Sequence, residues 1–514
     1  MKEKVKGYYL IMFVVLLGCL ILAGCSKEAS SSKDSGTKKD VLVVGIEADP
    51  GNLDPFRPVG VHSQQVTSQI YEPILALDKN NRIVPLLADY KQLDDITYEF
   101  YVKKGVKFHN GDELKANDII FSIKTGLNTP MVRFLWDSIN PDTIVQVDDY
   151  TVRFQLFSPS GSFLSNLTSF MSLIVNEKAY IAGGEDYQLN PVGTGPMKFV
   201  SWEKNVSCVV ERFDGYHGTL PEIKTIIFKP IVEFTSRAIE LESGGVDVVL
   251  GVPPTDIKRI EENPDFRIEV SPGYSIRYVG FNCSKPPFDN KLVRQALSHA
   301  VDAEGITRSI RTDKDVVISA PYSPVMMFYD KSIEHISYDP ALAKQLLVQA
   351  GYPNGFSTTI IADERKERVD IATIIQQQFK EIGVNAEIKV LEWGSFLNAT
   401  YGGDTEVYVM GWAADTADPD NIVGMALHSS LMGQGGNMSF VNDPKLDDLI
   451  ERGRMSSDYD ERAKIYSELQ QVMKDLSPWI YLWAETFYDG VSNKIDYIEL
   501  NPGGINPYYK IRFK

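Results

Sequence analysis

The sequence predicts an α/β protein, and three observations carry that prediction. Residues 356–361 read as one strand and residues 386–391 as another. Between them Ile371, Ile374, Ile375, Phe379 and Ile382 recur at helical spacing until Gly383 stops the helix. Strand, helix and strand in that order imply a parallel pair joined by a right-handed crossover. A further apolar run, Val407, Tyr408, Val409 and Met410, is the next strand along. It breaks at Gly411 into a loop carrying Trp412, Asp415, Asp418, Pro419 and Asp420. At 514 residues the chain exceeds one ordinary domain, so two or three are expected.

The first 25 residues read as an address. Lys2, Lys4 and Lys6 precede an apolar stretch over 8–22, and Leu22-Ala23-Gly24-Cys25 follows directly. That stretch is short for a membrane span, which favours a cleaved signal (1–24) over a retained anchor. Either places the rest of the chain outside the cytoplasm. The sequence LAGC resembles the bacterial lipoprotein box, in which the cysteine is lipidated and becomes the mature N-terminus; here that is Cys25. Residues 25–40, rich in Ser, Lys and Asp, form a flexible tether. Cys208 and Cys283 remain, either as one disulfide or as two buried thiols.

The body then unfolds in order. Residues 41–46 are a strand, 64–71 a helix, and Tyr98, Phe100 and Val102 the inward positions of a half-buried strand. Asn110-Gly111-Asp112 is a turn before a helix over 117–127. Asp289 caps a helix whose Leu292, Val293, Ala296 and Leu297 face inward. Asp339 and Pro340 open another, with Leu342, Leu346 and Leu347 on the core side and Gly351 as its stop. Asp443-Pro444 starts a short helix ending at Gly453. A longer one begins at Asp458, with Glu461 three residues on and Ile465, Leu469, Val472, Met473 and Leu476 as its buried stripe. Residues 479–483 (WIYLW) are an aromatic strand. No internal repeat interrupts the body.

Three segments resemble one family. Residues 87–123 carry the pattern T-Y-x-F-x-V-x-x-G-V-x-F-H-x-G followed by A-x-D-I-x-F-S, with Tyr90 where Trp is usual and Lys115 where Thr usually caps the helix. Residues 190–196 (NPVGTGP) match a turn of the same family, with Met197 in place of an aromatic residue. Residues 288–297 match F-D-x-x-V-R-Q-A-L. The chain thus resembles the extracellular solute-binding proteins of peptide and nickel ABC importers. The resemblance implies a two-lobed, periplasmic-binding-protein-like fold of the large three-subdomain class II type, with a hinge between lobes. It places the main domain of lobe 1 at 41–80, 188–270 and 485–514, the accessory subdomain of lobe 1 at 81–187, and lobe 2 at 271–484.

Composition and motifs narrow the function. A net charge of −17 argues against nucleic acid. No G-x-S-x-G, H-E-x-x-H or post-strand G-x-G-x-x-G occurs, and Thr194-Gly195-Pro196 has no Gly-Lys-Ser/Thr after it, so no enzyme and no cofactor are implied. The six histidines are scattered, and no metal site is assigned. On residues alone, 406–421 reads equally as a surface turn or as a site at the carboxyl end of a strand. The resemblance assigns it a role: Gly411 and Trp412 line the cleft, and Asp415 takes a peptide's α-ammonium. Val59, Gly60 and Val61 are the expected opposite wall, Tyr481 and Trp483 are wall or core, and Asp418 and Asp420 are turn residues. The expected protein is a monomer, lipid-anchored to the cell membrane, that captures peptides and delivers them to an ABC permease. The same fold with a nickel chelate, haem, glutathione or a sugar is the alternative.

Overall fold

The structure, a computed structural model, describes residues 39–433 and 435–514. The signal over 1–24, Cys25 and nearly all of the tether lie outside them. Ten strands form one sheet: Val41–Ile46 (β1), Met197–Glu203 (β2), Ser207–Arg212 (β3), Thr225–Pro230 (β4), Val248–Val249 (β5), Phe266–Phe281 (β6), Ser357–Asp363 (β7), Asn385–Leu391 (β8), Val407–Trp412 (β9) and Trp479–Ser492 (β10). Their spatial order is β8-β7-β9-β6-β10-β5-β1-β4-β3-β2. The predicted unit is present: β7 pairs parallel with β8 along its whole length and parallel with β9 on its other side. The connecting helix, Lys366–Glu381, buries Ile371, Ile375 and Phe379 against them.

Two long antiparallel strands, β6 and β10, run through the middle of this sheet. Their ladder extends from Phe266 to Pro272 against Ser492 to Thr486, breaks, pairs again at Ile276 with Ala484, shifts once more, and runs from Tyr278 to Gly280 against Tyr481 to Trp479. On one side of them, Val279, Phe281, Ile360, Val407, Val409 and Trp483 share a core. On the other, Leu42, Val44, Ile226, Phe228 and Val491 share a second one. A separate four-stranded sheet, in the order Ala88–Gln92, Thr97–Val102, Thr151–Gln155, Val145–Asp148, packs on the helix Ala116–Leu127 around Tyr98, Phe100, Ile119, Ile123 and Trp136. Among the described residues no helix is long and apolar enough to cross a membrane.

Several local expectations change. The first helix is Val61–Ile70, three residues longer at its start than its apolar pattern predicts. Asn290, not Asp289, caps Lys291–His299, its side chain accepting the Leu292 N–H at 3.0 Å. The aromatic strand continues to Ser492, and because β10 is central, Tyr481 and Trp483 are buried in core rather than in a ligand wall. Cys208 and Cys283 are free thiols; burial pushes their pKa values up to about 12 and about 11.

Candidate functional site

The site is built from β9 and the loop that leaves it. β9 lies between β7 and β6, and its last residues run beside Arg277 and Ile276 of β6. Gly411 stands opposite Arg277, and any Cβ there would collide with the guanidinium and the Ile276 carbonyl. Gly411 therefore lets the arginine cross the strand. Beyond it, Trp412 is half-buried and packs against the lobe 2 core.

Residues 413–419 connect β9 to a helix, Asp420–Ala426, and the three aspartates of this stretch differ sharply. Asp418 is fully buried and accepts two hydrogen bonds from Arg462, from Nη1 at 2.7 Å and Nη2 at 2.8 Å. It also accepts the Asp420 N–H at 3.0 Å. Asp420 receives Arg454 Nε on both carboxylate oxygens, at 3.2 and 3.3 Å. Both are thus anchored in ion pairs and are more than turn residues. Asp415 has no ion-pair partner among the described residues. It is open to the cleft yet flanked by protein, and desolvation raises its pKa above the ordinary carboxylate value.

Asp415 stands between two cavities. One, of about 220 Å³, is lined by Tyr71, Tyr509 and Lys510 and by Tyr274 of β6. The other, of about 730 Å³, is lined by Trp412 and Ala413 and, from the accessory subdomain, by Phe134 and Asp137. Thr416 also lines both. The structure thus brings Trp412 and Asp415 together, with Gly411 packed behind them. It does not bring Val59, Gly60 and Val61 to either cavity. Gly60 precedes the helix Val61–Ile70, Val59 and Val61 are exposed, and Val61 lines a third cavity of about 120 Å³ with Glu47, His62, Gln65 and Asp489. Among the described residues no group of His, Cys, Asp or Glu could hold a metal ion. Sequence reasoning missed Asp137, Tyr274 and Tyr509, which carry no local signature and reach the cleft from three separate segments.

Residues 82–434, more than half of the chain, match the family of bacterial extracellular solute-binding proteins, family 5 Middle. The chain belongs to that family. It is the substrate-binding component of an ABC importer, working on the extracytoplasmic side. The dipeptide-binding protein of Escherichia coli K12 is 30% identical over 452 residues, covering 82% of this chain and 84% of that one. HbpA2 from Haemophilus parasuis shares 25% identity and superposes with a TM-score of 0.86 over 92% of this chain and 100% of that one. DppA from Helicobacter pylori, solved with the peptide STSA, shares 27% identity over 92% of this chain and 98% of that one, with a TM-score of 0.70. The matched shares of this chain are equal and the identities nearly so. Both superpositions place this chain in the same fold as those two proteins.

Proposed function

We propose that this solute-binding protein captures peptides through their free amino terminus, with Asp415 as the acceptor, Trp412 as an adjoining wall and Gly411 as the backbone behind it. Val59, Gly60 and Val61 form the opposite wall once the lobes close, and Cys25 carries the lipid that holds the protein at the membrane beside its permease. One observation carries the reading: a carboxylate without an ion-pair partner among the described residues lines both cavities of the cleft while its two neighbours are already paired. An ammonium has three donors and a carboxylate only accepts, so each supplies what the other lacks. A hydrogen bond to a charged group contributes about 1.5–3 kcal/mol, roughly one to two decades of affinity.

The test is a titration of the chain with a mixed peptide library and with the same library N-acetylated. Acetylation is expected to weaken binding about tenfold or more, and Asp415→Asn to do the same for the free peptides. Equal binding of both libraries would remove Asp415 from its role. Binding of neither, with uptake of haem, glutathione, a nickel chelate or a sugar instead, would replace the peptide reading.

A further inference from the structure

The larger cavity has a second negatively charged wall. We propose, resting on the peptide reading above, that the preferred cargo carries two cations, the α-ammonium on Asp415 and a lysine or arginine side chain on Asp137. Asp137, Asp415, Asp420 and Arg454 all line the space of about 730 Å³, a volume typical of ligand sites. Arg454 is consumed by Asp420. That leaves two carboxylates, reaching the cavity from separate segments, and neither forms an ion pair among the described residues. Arg133 acts on Asp137 only through space, and burial outweighs it.

The acidic pair does not stand alone. Thr416, 4% exposed, follows Asp415 and lines the same cavity, and its Oγ1 is buried without a hydrogen-bond partner. Ser138, next to Asp137, lines it too, and its Oγ is likewise buried and unpartnered. Buried hydroxyls normally find partners, so two orphans beside two unpaired carboxylates mark places where a ligand's N–H groups complete the bonding. Trp412 and Phe134 supply apolar surface for the stem of a long basic side chain, whose head the carboxylate then receives.

The two walls are also held at a set spacing. The Gly161 N–H donates to the Arg454 carbonyl at 2.5 Å, and Arg462 Nη1 donates to the Gly161 carbonyl at 3.0 Å. The accessory subdomain is therefore tied to lobe 2 at the cavity's rim, and a ligand meets a preorganised pair of charges.

The full chain, in detergent micelles, is titrated calorimetrically with tri-alanine and with its single-lysine and single-glutamate versions at each position. At least one lysyl peptide is expected to bind about tenfold more tightly than tri-alanine, and the matching glutamyl peptide more weakly. Asp137→Asn should bring the lysyl-to-alanyl ratio to within about twofold, Asp137→Glu should keep it, and Asp415→Asn should weaken every peptide. A wild-type chain without lysine preference, or an Asp137→Asn chain that retains it, overturns the proposal while leaving the peptide reading intact. Failure of all the peptides to bind overturns both.

Discussion

His109 shows what the most legible residues of this chain do. It lies in the F-H-x-G pattern, and its Nε2–H donates to the Gly195 carbonyl at 2.9 Å while Nδ1 accepts the Gly193 N–H at 3.4 Å. Two sequence motifs far apart in the chain are thus one structural joint, and neither lines the two cavities of the cleft. Burial of the ring lowers its pKa from 6.5 to about 4. The unfolded chain takes up the proton near pH 6.5 and the folded chain resists it until about pH 4. The stability that depends on a neutral ring is therefore complete above pH 6.5 and is lost as pH falls toward 4. Between pH 7 and pH 5 this amounts to about 2 kcal/mol. His109→Gln should lose stability less steeply over that interval in urea titrations, and an unchanged pH slope would place the acid sensitivity elsewhere. The site residues behave oppositely. Asp415, Asp418 and Asp420 look alike in sequence because their distinguishing partners, Arg462 and Arg454, arrive from distant helices.

At the scale of elements, regular pieces with one buried face were legible and the contacts between pieces were not. The β7–helix–β8 unit announced itself because buried parallel strands are continuous apolar runs. β10 was seen only over its first five residues, since Glu485 and Asp489 interrupt the pattern where the strand leaves one core for the other. The loop 158–162 had no signal at all, yet it docks the accessory subdomain onto lobe 2 through Gly161. A side chain at that position would run into the Ser456 carbonyl and come within 2.8 Å of Arg462 Nε. Gly161→Val should undo the docking and cost about 1–3 kcal/mol, the usual penalty of overpacking. Hydrogen exchange at the Gly161 amide should then rise along with the loss in stability. If that amide stays as protected as in the wild-type chain, the docking does not depend on the close approach.

For the whole molecule, the lobes are halves of one sheet, and only β6 and β10 join them through it. Any closing motion has to be absorbed where their ladder is already broken, because bending elsewhere would sacrifice paired hydrogen bonds. Of the ladder's two irregularities, the one at Arg277 is braced by β9 on the other side of β6, and the other spans Gly273 to Ser275, opposite Glu485. Its lobe 2 end is fixed by charge: Arg277 binds Glu485 at 3.0 Å and Glu367 at 2.9 Å, and Arg311 binds Glu485 at 3.3 Å. Its lobe 1 end is fixed by the resumed ladder at Pro272 and Thr486. What remains free to change is the short stretch beginning at Gly273, where an added Cβ would stand 2.8 Å from the Phe487 ring and 3.2 Å from the Glu485 carbonyl. Small residues at such positions take up the backbone rotation of a hinge. Gly273→Val should therefore stiffen the joint. In small-angle scattering the wild-type chain is expected to contract when saturated with peptide, bringing the wall at Val59–Val61 toward Asp415. The variant should show less than half that contraction and bind several-fold more weakly. Full contraction in Gly273→Val would move the hinge out of the ladder break and into the loops that flank the sheet.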